Sequence, residues 1–231
     1  MHSIRTMALL LCLACTSLTT VAGAVPWEVV KQGEGREGVS TWARPAEGMA
    51  VKEFKGETEV HQSMLAVLAL LSDVSNLPNW VFNCKLAQHP AGLPGEQNYM
   101  QFRGIWPASD RDALVKSVAN QKADQSVVLQ TGHVAGYPVR EDFVRMPYLA
   151  NEFRLTPLKD GWTRVEFETR VDLGGLVPAW LAGLVSTKAP LVTLEGLQRE
   201  LKKPKYQAVK SSKELPTEFW RGPPMVLPEG H

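Results

Sequence analysis

The sequence predicts an α+β domain, in which an antiparallel sheet covers something apolar on one face and a long helix follows at the C-terminal end. Three observations lead there. Between Arg164 and Asp172 the residues alternate strictly, with Val165, Phe167, Thr169 and Val171 on one side and Arg164, Glu166, Glu168, Arg170 and Asp172 on the other. One wet face and one covered face is the pattern of an antiparallel strand. From Cys84 to Asp172 the chain reads as successive short strands separated by turn residues. After Gly174-Gly175 comes a stretch rich in apolar residues, from Pro178 to about Lys203, long enough for about seven turns of helix.

The elements follow in order. Val25 to Lys31 reads as a short amphipathic helix ending in the break Gly33-Glu-Gly-Arg-Glu-Gly38. That break spells GxGxxG, but it leads into Val39 to Arg44, which has strand character. A phosphate loop must open a helix, so a plain turn is expected. Met49 to Val60 alternates as a second strand, with Phe54, Thr58 and Val60 on its covered side. Ser63 to Val74 carries Met64, Leu65, Val67, Leu68, Leu70 and Leu71 and predicts a buried helix capped by Ser63. Asn76 to Trp80 is a turn or short helix. Asn98 to Arg103, Ala113 to Ala119, Ser126 to His133 and Phe143 to Met146 are the middle strands. Lys159-Asp-Gly-Trp162 is a hairpin turn, because Asp-Gly accepts the positive φ such turns require. Pro178 suits the first turn of the final helix, Pro190 is expected to kink it, and Pro204 ends it. The tail from Lys205 to His231 is expected to be extended and laid against the domain by Phe219 and Trp220.

The first residues have the features of an export signal: Arg5, the apolar run Met7 to Leu13, then Ala22-Gly23-Ala24 as a small-x-small cleavage site. Cleavage is expected between Ala24 and Val25, which divides the chain into a signal over 1–24, a domain over 25–203 and a proline-rich tail over 204–231. The 25 Lys and Arg against 24 Asp and Glu fall to equality once Arg5 leaves. No basic excess then exists for phosphate backbones, so no nucleic-acid partner is expected. Cys12 and Cys15 depart with the signal. Cys84 is left alone, as a buried small hydrophobe.

Several local spellings resemble the START family (steroidogenic acute regulatory protein-related lipid transfer), in particular its secreted bacterial members. They are Trp80 with Asn83-Cys84, the run Trp106-Pro-Ala-Ser-Asp-Arg-Asp112, Val144-Arg-Met146, and Asp172-Leu-Gly-Gly-Leu-Val-Pro-Ala-Trp-Leu181. The second is the most specific, matching a WP-x-x-x-RD pattern that enters a central strand. The resemblance spans Trp27 to about Lys203. It implies a helix-grip fold, a curved antiparallel β-sheet wrapped around the long C-terminal α-helix, with a tunnel between them. It implies a lipid ligand of the sterol, phospholipid or fatty acyl class, transient membrane contact, a monomer, a periplasmic location and no cofactor. The helix and its neighbouring loops would act as a lid. A buried charged residue that some animal members use further along the Arg-Asp strand is not carried over. Here Leu114 to Val118 holds only Lys116.

Inward faces then supply candidate cavity walls: Phe102, Val165, Phe167 and Val171 from strands, and Leu181, Leu184 and Val185 from the helix. Taken singly, each of these reads as plain core, and only the family fold makes it a cavity wall. Arg111 lies between Asp110 and Asp112 but points away from both on a strand, and it either forms an ion pair that fixes the strand or orients a head group. Arg145, between Val144 and Met146, needs a carboxylate or a ligand's polar group if it points inward. His61, His89, His133 and His231 show no metal-ligand spacing, and no Gly-x-Ser-x-Gly elbow occurs. A helix-grip enzyme of the aromatase/cyclase type and a cell-envelope interaction protein stand as the alternatives to a lipid binder.

Overall fold

A computed structural model describes residues 25–227; the expected export signal and its cleavage site lie outside the described residues. Ten strands form one sheet: β1 (Glu28–Lys31), β2 (Ser40–Arg44), β3 (Glu53–Val60), β4 (Cys84–Gln88), β5 (Gln97–Phe102), β6 (Arg111–Gln121), β7 (Val127–His133), β8 (Val144–Arg145), β9 (Tyr148–Pro157) and β10 (Thr163–Asp172). Their order across the sheet is β1-β2-β3-β10-β9-β7-β6-β5-β4. All those neighbours are antiparallel, and β8 alone runs parallel, beside the start of β6. Three helices complete the fold: α1 (Met64–Ser72), α2 (Ala179–Leu201) and α3 (Pro204–Gln207).

The period-two reading of β3 and β10 is reproduced residue by residue, because each strand has one face to the core. The Ser63 side chain accepts from the Ala66 amide and starts α1, which buries all but one of its apolar residues. Each large side chain withdrawn there contributes about 1.5–3 kcal/mol before conformational entropy is counted. Asp160 and Gly161 both take positive φ in the β9–β10 turn, as Asp-Gly requires.

Two readings change. Val25 to Lys31 is not a helix: Glu28–Lys31 is an edge strand on β2, with Val29 opposite Trp42. Four exposed residues with two adjacent valines gain little from a lone helical turn, and the open edge of β2 offers them hydrogen-bond partners. The other change is β9, a ten-residue strand for which the sequence pattern shows no clear alternation. Asn151 interrupts its inward series Leu149, Phe153, Leu155.

α2 packs mainly across β2, β3 and β10. It stays continuous through Pro190, which lies against β3 at Gly56. Resting on that half of the sheet, the helix leaves the concave face of β5, β6, β7 and β9 uncovered. The C-terminal segment belongs to the same core. Tyr206 and Leu215 are buried in it, and the segment around Trp220 pairs with β6 beyond the end of β5. Ala119 donates to the Phe219 carbonyl and accepts from the Arg221 amide, both at 2.8 Å. The tail is thus laid on the domain through Phe219 and Trp220, though with short helical turns rather than fully extended.

Candidate functional site

Between α2 and the uncovered half of the sheet lies a cavity of about 180 Å³. Its walls are mainly apolar, among them Phe54, Met100, Leu129, Phe153 and Phe167, with Trp80 and Phe82 closing it from the segment after α1. Of the residues expected from sequence, Phe102, Arg111, Phe167, Val171, Leu181 and Val185 line it. On α2 the lining residues are Leu181, Val185, Ala189 and Thr193, one residue every four positions on a single helical stripe. Leu184 falls on the flank of that stripe and does not line the cavity. Val165 faces inward but lies one pair beyond the cavity, opposite Leu155, where both are wholly buried as core.

The two arginines have different surroundings. Arg145 does not line the cavity: its Nε and Nη2 grip the two oxygens of Asp112 at 2.7 and 3.0 Å, and its Nη1 donates to the Tyr137 carbonyl at 2.9 Å. The Tyr99 hydroxyl donates to the same carboxylate at 2.7 Å. Arg145 therefore finds its partner in the protein. Arg111 is the reverse. It is only 5% exposed and lines the cavity. Its Nη1 donates to the Ser109 carbonyl, its Nε has no partner, and among the described residues no carboxylate pairs with it. The ion pair considered for it from sequence does not form, because Asp112 is turned to Arg145 and Asp110 is held by Lys85 and the Gly104 amide. Burial lowers the affinity of its guanidinium for the proton, with Asp110 opposing.

Lys116, the one charge in the neighbourhood from Leu114 to Val118, points outward to Glu96. Cys84 is buried, and burial pushes its thiol up to about 12, so it is chemically quiet. The described residues contain no group of three or more metal-ligating side chains.

Sequence reasoning missed part of the lining: Ser117, Thr131, Asn151 and Thr169 also face the cavity. Their signal was present, since Thr169 sits on the covered side of β10 between Phe167 and Val171.

No protein-family model matches the chain. An uncharacterized protein of Pseudomonas aeruginosa is 28% identical over 188 residues, covering 79% of this chain and 92% of that one. Among solved structures, the STAR-related lipid transfer protein of Xanthomonas axonopodis superposes with a TM-score of 0.68 at 26% identity. It covers 77% of this chain and 99% of its own. The chain has the START helix-grip fold. Human StAR-related lipid transfer protein 5 shares the fold with a TM-score of 0.67 at 18% identity, over 80% of this chain and 88% of that one. The cavity of this fold thus lies between the gripped helix and the sheet. Within it the WP-x-x-x-RD run serves two ends: its arginine faces the cavity, and its second aspartate is buried in the Arg145 pair.

Proposed function

We propose that this START domain binds a hydrophobic lipid in the cavity beneath α2 and carries it, without catalysis, between membranes of the bacterial periplasm. The observation that carries the reading is Arg111, a guanidinium buried in an apolar cavity with no anionic partner. Such a group costs stability unless something supplies an acceptor. A lipid does so with the oxygens of its polar end, while its chain gains about 0.8 kcal/mol per CH₂ withdrawn from water. An enzyme of the aromatase/cyclase type would need an acid or base in the cavity. The titratable groups that line it are two arginines, Arg103 and Arg111, which do not suit that work.

Uptake requires contact with a membrane surface. Trp106 is 89% exposed beside Gly104 and Ile105, which line the cavity. Leu176 and Trp180 are 95% and 50% exposed beside the lining residues Leu173 and Leu181. Exposed tryptophans suit the interfacial layer of a bilayer. These loops and the start of α2 form the lid, and they are what would enter the membrane. No helix among the described residues is long and apolar enough to cross one.

Native mass spectrometry with lipid extraction, on protein purified from its producing cells without refolding, tests the reading. A stoichiometric lipid is expected, and Arg111→Met should lose most of it while remaining folded. Protein that arrives empty and takes up no phospholipid, sterol or fatty acid from vesicles would overturn lipid binding and favour an interaction role.

A further inference from the structure

Four strands bring one polar residue each to the same level of the cavity wall. Ser117 on β6 is opposite Thr131 on β7, Thr131 is opposite Asn151 on β9, and Asn151 is opposite Thr169 on β10. Directly opposed residues of antiparallel strands point to the same face, with Cβ atoms roughly 5 Å apart, so these side chains form a continuous row. The row crosses otherwise apolar wall. On one side the paired neighbours are Leu129, Phe153 and Phe167; on the other, Leu149 pairs with Val171.

Half of the row is satisfied. The Ser117 and Thr131 hydroxyls are 2.9 Å apart and bond to each other. The other half is not. Asn151 Oδ1 and Thr169 Oγ1 are both buried and have no hydrogen-bond partner, and Thr169 as a whole is 4% exposed. Adjacent unmatched polar atoms inside an apolar chamber are costly and rarely kept without a use. The row contains no charge. On β6 the nearest charged lining residue is Arg111, six positions away, or roughly 20 Å along the strand.

We infer that the row Ser117–Thr131–Asn151–Thr169 is a subsite for an uncharged hydroxyl of the bound molecule, so that the ligand carries an alcohol in addition to the polar end that meets Arg111. A single hydroxyl meets both needs: it donates to Asn151 Oδ1 and accepts from Thr169 Oγ1. An ester or ether has no proton for Asn151. A carboxylate would be stripped of water with no cation beside it. This assignment rests on the lipid-binding reading and narrows it, because it adds a second polar contact on the wall of the sheet, apart from the one at Arg111.

The test is a competition among neutral probes of one chain length. The ligand-free protein is offered equal amounts of 1-hexadecanol, methyl palmitate and hexadecane from cyclodextrin, and the bound fraction is extracted and quantified. The wild type should enrich the alcohol about tenfold over each of the others, the scale of one or two net hydrogen bonds. The Thr169→Val/Asn151→Leu variant should lose that enrichment, while Thr169→Ser retains it. The ligand-free double variant should melt no lower than the wild type, since it loses only unmatched groups; if it does not fold, Thr169→Val alone gives the reading. Uptake of all three probes without preference, or an enrichment that survives the double substitution, would overturn the subsite and leave lipid binding intact. Uptake of none of them by the wild type would overturn both.

Discussion

At the scale of residues, two arginines pose the same problem and reach opposite solutions. Arg145 and Asp112 form a two-pronged pair, with the Asp112 side chain 1% exposed and Tyr99 donating to it. Removing one partner of a buried pair strands the other, so Asp112→Ala should cost about 3–5 kcal/mol in urea unfolding. Burial by itself would raise the Asp112 carboxyl, but the bonds from Arg145 and Tyr99 outweigh it and hold the group below its ordinary range. A depressed carboxyl contributes stability that is complete above its unfolded value, about 3.9, and is lost as pH falls through the folded value. Urea midpoints measured from pH 6 to pH 3 should therefore decline at the acid end, and less steeply in Asp112→Asn. Equal slopes in the two proteins would show that this pair does not set the acid response. Arg111, by contrast, remains unmatched in the protein itself, and that difference separates a structural arginine from one available to a ligand.

The elements meet at distances that glycine permits. A methyl group on Gly196 of α2 would lie 2.5 Å from the Trp80 carbonyl, a contact that neither backbone can relieve cheaply. Gly183, on the same helix, has nothing within 4 Å. Alanine at the two positions should act oppositely in thermal and urea unfolding. Gly196→Ala should destabilise by about 1–3 kcal/mol as α2 is forced off Trp80. Gly183→Ala should stabilise by about 0.5–1 kcal/mol, the ordinary gain of replacing glycine inside a helix. Destabilisation by both would mean that helix flexibility, rather than close approach, governs α2. The register of β9 is the other feature of this scale. Pairing with both β7 and β10 holds a strand whose own alternation is broken at Asn151, and so places that amide in the cavity.

Across the whole molecule the C-terminal segment closes what the helix and sheet leave open. Pro216, Glu218 and Phe219 wall a side chamber of about 80 Å³, which shares Leu71, Val74, Asn98, Ser117 and Leu129 with the main cavity. Ending the chain after Lys210 should cost about 2–3 kcal/mol through loss of buried Leu215 and half-buried Phe219. It should also raise binding of an apolar dye and speed lipid release; release at the wild-type rate would show that the segment is no part of the closure. The sequence by itself determined the α+β class, the turns, the capped α1, the long α2 and most strands, because caps and periods of 2 and 3.6 are set by residues a few positions apart. It also marked six residues that line the cavity, Phe102, Arg111, Phe167, Val171, Leu181 and Val185, through their inward positions. Tertiary structure alone decided the rest. It turned Val25 to Lys31 into strand by offering a sheet edge, and chose Asp112 rather than a ligand for Arg145. It set Val165 and Leu184 outside the cavity and aligned Ser117, Thr131, Asn151 and Thr169 across four strands. Those outcomes depend on register between segments about 10 to 33 positions apart, and a pattern read along one strand carries no information about its partner's register.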